Sequence, residues 1–546
     1  MDMRRQFRRE VRLGLACVLS IVGVMSLLGL GDDGSARADT TTIEEVAIAS
    51  FAFNPATVTV TTGSSVRWTN NDGVDHTSTS DTGVWDSGAL SLSDLFTQTF
   101  DATGVYSYHC DIHPSMLGRV VVITSTWTVC SSGCNFTSIG AALAAAGNGD
   151  LIRVTSGSYL ERLTITKTVT LQGGWDASFA TRTPGESVVD AQRLGRALTI
   201  LGPISPTIDG FTLTGGNATF EISGAHHGGG VYVEAGGALL TNNIITNNLA
   251  TTSTILAERG RGGGVYVESG SVVISANQIV SNVAGAAEPG PTVEGFGGGV
   301  FAAGAPSVIN NLIASNQARS SGASFGYGGG AHVSNGVVRG NQFISNSASN
   351  GGGIATLANT LFDGNLARGA AGGNDQLEAG GASRVVNNFL LHPNGVGSGI
   401  GATATPVEVV NNTIVGYLTG VNVNPGAAPT ISNNLFYSDT TAIQIVTDGV
   451  VTPTLDYNGF WQNGADFDVT TGTLTGTHNV FADPLFVNPA AGDYHLGPGS
   501  PLINQGTGAG APVNDYDGDA RPTGGGVDIG ADEVLFKILL PLLFKS

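Results

Sequence analysis

The stretch GGGVYVEAGGALLTNNIITNN, residues 228–248, returns along the chain in altered copies, and its reading decides the fold. GGGV recurs at 262 and 297, GGGA stands at 328 and GGGI at 351. A second pattern, N-x-[IF]-x-x-N, follows the first four of these and starts at Asn243, Asn277, Asn311 and Asn341. A third, N-x-A, carries its asparagine at Asn248, Asn282, Asn316, Asn346 and Asn365. Further on, NNF, NNT and NNL place Asn388, Asn412 and Asn434. Periods of roughly 20 to 50 residues belong to solenoids and arrays. The copies hold short β-branched runs such as VYV, VVI and NNTIV and no helix-length periodic segment, so the solenoid is built of strands. Stacked strands repeat at about 4.8 Å. Asparagine at one turn position then forms an amide ladder, and glycine supplies positive-φ corners. The repeating Asn and Gly are thus read as structural.

Composition agrees. The chain has 546 residues, 81 of them glycine, and only 12% are charged. The formal charge of −20 argues against nucleic acid or an anionic membrane surface as partner. The first 38 residues have the order of an export signal: Arg4, Arg5, Arg8, Arg9 and Arg12, then the uncharged run Leu13–Leu30, then ARA at 36–38. RRQF at 4–7 resembles a twin-arginine signal; retention as a membrane anchor is the alternative. Cleavage leaves Cys110, Cys130 and Cys134. Cys130 and Cys134 lie in a loop-like CSSGC suited to a disulfide in an oxidising compartment, and Cys110 is left over.

Residues 41–124 follow a different grammar, with short alternating strands at TVTVTTGSSVRWTNND, TQTFDATGVYSYHC and GRVVVIT, the pattern of a small sandwich. Within it, YSYHCDIHPSMLGRVVV (106–122) sets Cys110, His113 and Met116 in one short loop, and WTNNDGVDHTSTS offers His76 after another strand. Taken singly, His76 is an ordinary loop histidine, Met116 a core residue and Cys110 a buried thiol. Jointly, two imidazoles, a thiolate and a distant thioether are the ligand set of a blue-copper site. Soft sulfur favours Cu(I) and imidazole serves both oxidation states. His109, next to Cys110, points to the opposite strand face.

This region resembles the cupredoxin family, in particular its plastocyanin- and amicyanin-like members, over about 80 residues from FAFNPATVTVTTGSSVRWTNND to GRVVV. The resemblance implies one type 1 copper held by His76, Cys110, His113 and Met116, with electrons exchanged at His113 and a redox partner docking there. One departure stands out: the stretch between His76 and Cys110 is short and polar, which predicts a reduced apolar patch around that port. Residues 136–175, FTSIGAALAAAGNGDLIRVTSGSYLERLTITKTVTLQGGW, resemble the opening of right-handed parallel β-helix proteins of the pectate-lyase-like superfamily. There a short helix, here about Ile139 to Ala146, caps the first coil. ADPLFVNPAAGDYHLGPGSPLINQGTGAG and DYDGDARPTGGGVDIGADE resemble the C-terminal part of bacterial surface proteins of the choice-of-anchor type.

The expected architecture is all-β: leader 1–38, cupredoxin Greek-key sandwich 41–124, right-handed parallel β-helix 127–533 and an apolar tail 534–546 suited to sorting or to packing as a terminal strand. The expected setting is secreted or at a bacterial cell surface, with membrane contact only through leader or tail. DYDGD puts Asp515, Asp517 and Asp519 at alternate positions, a Ca²⁺ loop that lacks the EF-hand's glycine at place six and glutamate at place twelve. His226 and His227 read as a polar loop. Residues 201–533 contain no lysine and few arginines, and no acid pair with a basic pair is legible, so no catalytic residue is assigned. Three functions follow: electron transfer on a scaffold or adhesive solenoid with glycans as partners, a polysaccharide lyase or hydrolase with an accessory copper domain, or a structural surface protein whose metal site is idle.

Overall fold

The computed structural model describes residues 43–535 except 221–225, 252–258, 286–293, 321–325, 350, 371–374, 393–394, 447–452 and 471–475. The leader and all but the first two residues of the tail lie outside the described residues.

The N-terminal unit is a sandwich of two four-stranded sheets. One runs β2 (Ala52–Asn54), β1 (Ile43–Ala49), β4 (Ser65–Asn70), β6 (Leu95–Thr99). The other runs β3 (Thr57–Thr61), β8 (Leu117–Ile123), β7 (Gly104–His109), β5 (Thr79–Ser80). Alternation decides which side chains go inside. Val46 and Ile48 of β1, Val58 and Val60 of β3, Val66 and Trp68 of β4, and Val120 and Val122 of β8 are all buried. Trp68 stacks on Trp85 at 5.5 Å and meets Tyr108 edge-on at 5.3 Å.

Two residues after β8, β9 (Thr126–Val129) pairs in parallel with Leu151–Thr155 and becomes the first rung of the solenoid. A single carboxylate makes this junction. Asp150, 1% exposed, accepts from Thr62 Oγ1 at 2.6 Å, from the Ser125 amide at 2.8 Å, and from Trp127 Nε1 and the Gly147 amide at 2.9 Å. Thr62 lies in the sandwich and the other donors in or beside the first coil, so the two units are tied at a buried point. The expected cap is helix α1 (Ile139–Ala145), with Ala146 already extended. Ser138 caps it, and Glu161 accepts from the amides of Ile139 and Gly140. Its Ile139, Ala142 and Leu143 close the end of the coil core. Cys130 and Cys134 are joined by a disulfide and Cys110 is free and buried.

The solenoid consists of three long parallel sheets, of thirteen, thirteen and twelve strands among the described residues, each coil giving one strand to each. The architecture is that of a parallel β-helix. Its repeating asparagines form the ladder. Asn243 receives no side chain from itself but from the next coil: its amide and Nδ2 both donate to Asn277 Oδ1, at 2.9 and 3.1 Å, while its Nδ2 also reaches Ile208 O at 2.9 Å. The same pattern continues through Asn311, Asn341, Asn365, Asn388, Asn412, Asn434 and Asn458. The paired asparagines divide the work. Asn242, Asn387, Asn411 and Asn433 take positive φ at the corner, and the residue after each is the buried rung.

Here one assignment is corrected. Asn365 was grouped with Asn248, Asn282, Asn316 and Asn346, which form a second ladder. It belongs instead to the first, accepting from the Asn341 amide at 2.9 Å. The coil shortens there from a 30-residue to a 24-residue spacing, which moves N-x-A onto the other column. The GGG motifs mark close backbone approach. Gly262 has φ +63°, and a Cβ on Gly263 would lie 2.4 Å from the Val283 carbonyl carbon.

The coils end at Val480–Phe481, and residues 482–535, which hold the C-terminal part set apart in the sequence, fold back along their outside. Arg368 donates to Gly492 O, Asn387 Nδ2 to Asn514 O, and Asn411 Nδ2 to Asp528 O, contacts that span 117 to 127 residues. His227, expected in a polar loop, packs its ring on Tyr266 at 4.6 Å. Beside it Tyr232, Tyr266, Phe301 and His332 stack in register along the twelve-stranded sheet. Burial pushes the imidazoles of His227 and His332 down to about 4.

Candidate metal centre

The sandwich brings three of the four candidate side chains together from two places. After β4 the chain turns and enters an antiparallel bridge in which His76 and Leu90 exchange both backbone bonds, at 3.1 and 2.8 Å. That fixes His76 with its ring fully buried. On β7 alternation sends Tyr108 inward and His109 outward, and Cys110 follows inward at 0% exposure. The loop then closes on itself: the Met116 amide donates to His113 O at 2.9 Å and the Cys110 amide to Met116 O at 3.2 Å. This returns the chain to β8 with His113 half-buried and Met116 buried in the sandwich core beside Cys110.

Cys110 Sγ lies 3.7 Å from His76 Nδ1 and 3.8 Å from His113 Nδ1, and the two nitrogens are 3.1 Å apart. All three donor atoms lie within 4.8 Å of one another. One thiol and two imidazole nitrogens facing a shared point, with a buried thioether in the same loop, fit a copper ion by the chemistry of the donor set. The Thr77 amide points at Cys110 Sγ from 3.3 Å, and Thr77 Oγ1 accepts from the Asp111 amide at 2.8 Å, bracing the thiolate side. His109 stands outside, as expected. Asp81 at 2.7 Å and Asp111 at 2.9 Å hold it and raise its pKa, the Asp81 hydrogen bond most.

Two residues that the sequence reading passed over complete the site. Asp72 Oδ2 is 3.2 Å from His76 Nε2, the nitrogen turned away from Cys110. The same carboxylate accepts the amides of Phe51 at 3.0 Å and Ser50 at 2.8 Å, which keep its pKa below the usual aspartate value. Ser50 and Phe51 both have positive φ, 54° and 59°. A phenylalanine held there is strained, and the strain has a visible product. The Phe51 ring stands edge-on to His113 at 4.9 Å and to His76 at 5.5 Å. The only signal in the sequence was the Asn-Asp-Gly turn ahead of His76.

Phe51 also alters the expected apolar patch. Phe51, Val74 and Ile112 are 56%, 46% and 47% exposed and flank His76 and His113 by contact or by sequence. Of these, Phe51 is the one in contact with both imidazoles.

The Ca²⁺ loop does not form a cage. Asp515 spends Oδ1 on the Asp519 amide at 2.8 Å and Oδ2 on the Glu533 amide at 2.9 Å. Asp517 turns to His495, with Oδ2 3.2 Å from Nε2. The carboxylates of Asp515 and Asp517 therefore serve different neighbours, and calcium at this loop has no support.

A family model described as copper binding proteins of the plastocyanin/azurin family matches residues 40–123. The chloroplastic plastocyanin of Tetradesmus obliquus is 39% identical over 85 residues, which cover 13% of this chain and 59% of that protein. Amicyanin-alpha of Methylorubrum extorquens is 34% identical over 83 residues, covering 14% of this chain and 70% of amicyanin. Among solved structures, a novel purple cupredoxin from Nitrosopumilus maritimus is 29% identical and covers 15% of this chain and 99% of its own, with a TM-score of 0.14. The chain thus spans just under two thirds of the plastocyanin and somewhat more of the amicyanin. Through its N-terminal sandwich, with His76, Cys110 and His113 converging and Met116 buried beside them, the chain belongs to the plastocyanin/azurin family of copper binding proteins, the cupredoxins.

Proposed function

We propose that this is a secreted or surface-held bacterial protein whose copper centre passes single electrons, carried on a solenoid that serves as scaffold or adhesive module. The observation that carries the reading is the convergence of Cys110 Sγ with the Nδ1 atoms of His76 and His113. Copper, when bound, supplies a one-electron couple between Cu(II) and Cu(I). The chain's own residues prepare the site. His76 and His113 would offer nitrogen to the ion, Cys110 a thiolate and Met116 a thioether. The backbone bridge at His76 and the closed 110–116 loop hold these groups in place, so little has to move on electron transfer. His113, half-buried with the Phe51 ring edge-on to it, is where the redox partner docks.

The test is the visible spectrum and metal content of the full chain after loading with Cu(II). An intense thiolate–copper band with one copper per chain is expected, and Cys110→Ser should abolish the band while leaving the circular dichroism unchanged. A band that survives Cys110→Ser overturns the ligand assignment; no copper and no band in the unaltered chain overturns the function.

One observation favours a second reading, in which the solenoid acts on glycans. Asp375 and Glu378, on the strand Asp375–Gly380, both have their pKa pushed up chiefly by burial, and Glu378 Oε2 is buried without a hydrogen-bond partner among the described residues. Two carboxyl groups in one place are what glycoside hydrolysis needs. Reducing sugar released from polysaccharide by the unaltered chain, and lost in Glu378→Gln, would establish it.

A further inference from the structure

The back-folded segment gathers a second set of donor atoms from three stretches of chain. His495 lies on the strand Asp493–Leu496, Asp517 in the turn after Asn514, and Asp532 near the end of the described chain. One ring nitrogen of His495 and one carboxylate oxygen from each aspartate lie within 4.8 Å of one another, and Nε2 is 3.2 Å from Asp517 Oδ2. The opposite ring nitrogen is already engaged: Nδ1 is 2.5 Å from Asp493 Oδ1. That contact calls for a proton on Nδ1 and leaves Nε2 facing Asp517, where a metal ion would replace the proton that the neighbouring carboxylates otherwise favour on the ring. Nε2 is buried and makes no hydrogen bond among the described residues, although Asp517 Oδ2 is only 3.2 Å away. Asp532 is 8% exposed, with Oδ2 accepting from the Leu496 amide at 3.0 Å. Arg521, whose charge feels Asp532, is committed to Glu533 at 3.0 Å.

A carboxylate on one imidazole nitrogen, with the other nitrogen facing further oxygens, is the arrangement by which proteins orient a metal-ligating histidine. We propose that His495, Asp517 and Asp532 bind a divalent ion of the Zn²⁺ or Mn²⁺ kind, with Asp493 as the residue that positions the histidine. One imidazole and two carboxylates suit such ions, and the lack of sulfur disfavours Cu(I). The ion joins the 493–496 strand, the 514–520 turn and the 528–533 stretch, and so pins the returning segment to itself. The inference is independent of the copper reading, because none of these residues belongs to the sandwich.

The experiment uses the full chain carrying Cys110→Ser and His113→Ala, which disable the copper centre, stripped with chelator and dialysed against Zn²⁺ or Mn²⁺ at mildly alkaline pH. One ion per chain is expected. Asp517→Asn, at a half-exposed carboxyl whose loss should leave the fold intact, should abolish or strongly weaken binding, and Asp493→Asn should weaken it about 10- to 100-fold. Circular dichroism checks that each variant is folded. No ion bound by the parent, or equal binding by parent and Asp517→Asn, overturns the proposal and leaves the carboxylates as partners of a protonated imidazole. Neither result touches the thiolate–copper band of the unaltered chain.

Discussion

Replacing Asp439 by asparagine should stabilise the protein. Asp439 stands in a column of asparagines five residues after the first ladder, the column opened by Asn248, Asn282, Asn316 and Asn346. Its Oδ1 does the work of an amide oxygen, accepting from the Tyr417 amide at 2.7 Å, and its own amide donates to Asn463 Oδ1 at 3.0 Å. In Asn463 the Nδ2 then donates to a main-chain carbonyl, Phe436 O, at 3.2 Å. Asp439 has only Oδ2 to offer at that place, and Oδ2 is buried with no hydrogen-bond partner among the described residues. The side chain is 1% exposed, and burial holds its pKa well above the ordinary 3.8. A buried polar group left unsatisfied costs about 1–3 kcal/mol, so Asp439→Asn should gain about that much at neutral pH. The sign of the pH dependence follows from linkage. With the folded-state pKa raised, the folded chain binds more protons than the unfolded one, so the parent loses stability as pH rises above 3.8. Asparagine does not titrate, so the variant's advantage should be smallest near pH 4 and grow towards neutrality. Urea unfolding of both proteins at acid and neutral pH, followed by circular dichroism, measures it. A variant less stable than the parent at neutral pH, or an advantage that does not change with pH, refutes the reasoning.

Three further outcomes are expected. His227 and His332 are held neutral, each pushed down from 6.5 to about 4 chiefly by burial, so the solenoid should lose stability as pH falls from about 6.5 to about 4, and His332→Phe should flatten part of that slope. Asn311→Leu takes the Asn311 side chain from the Asn277 amide and from the Ile274 carbonyl, while Asn277 Nδ2 keeps Leu240 O and Ser275 O; with a buried orphaned group costing about 1–3 kcal/mol, the urea midpoint should fall clearly, and an unchanged midpoint would mean that the ladder is incidental. Asp72→Asn removes a negative charge 3.2 Å from the outer nitrogen of His76, which favours the reduced ion, so the reduction potential measured by protein-film voltammetry should rise; no change would mean that the carboxylate acts only on the Ser50–Phe51 turn.

Two kinds of order were legible in the residues alone. The first is repetition: an asparagine that returns once per coil stacks on its own copies whatever else the coil contains, so the solenoid and its first ladder could be read from spacing. The second is proximity along the chain. Cys110, His113 and Met116 belong to one strand end and one short loop, so their spacing already sets their geometry, and His76 followed from a strand ending in a turn. Tertiary structure decided the rest. Asn365 changed ladder because a coil lost part of its loop, a difference invisible until the coils are stacked. The chain beyond Phe481 turned back because its apolar side chains find the outside of earlier coils, more than a hundred residues away. Phe51 came to stand over the two imidazoles, and Asp517 to face His495 rather than its neighbours in DYDGD, for the same cause. Contacts between distant segments depend on how whole layers pack, and no local spacing encodes where two such segments will meet.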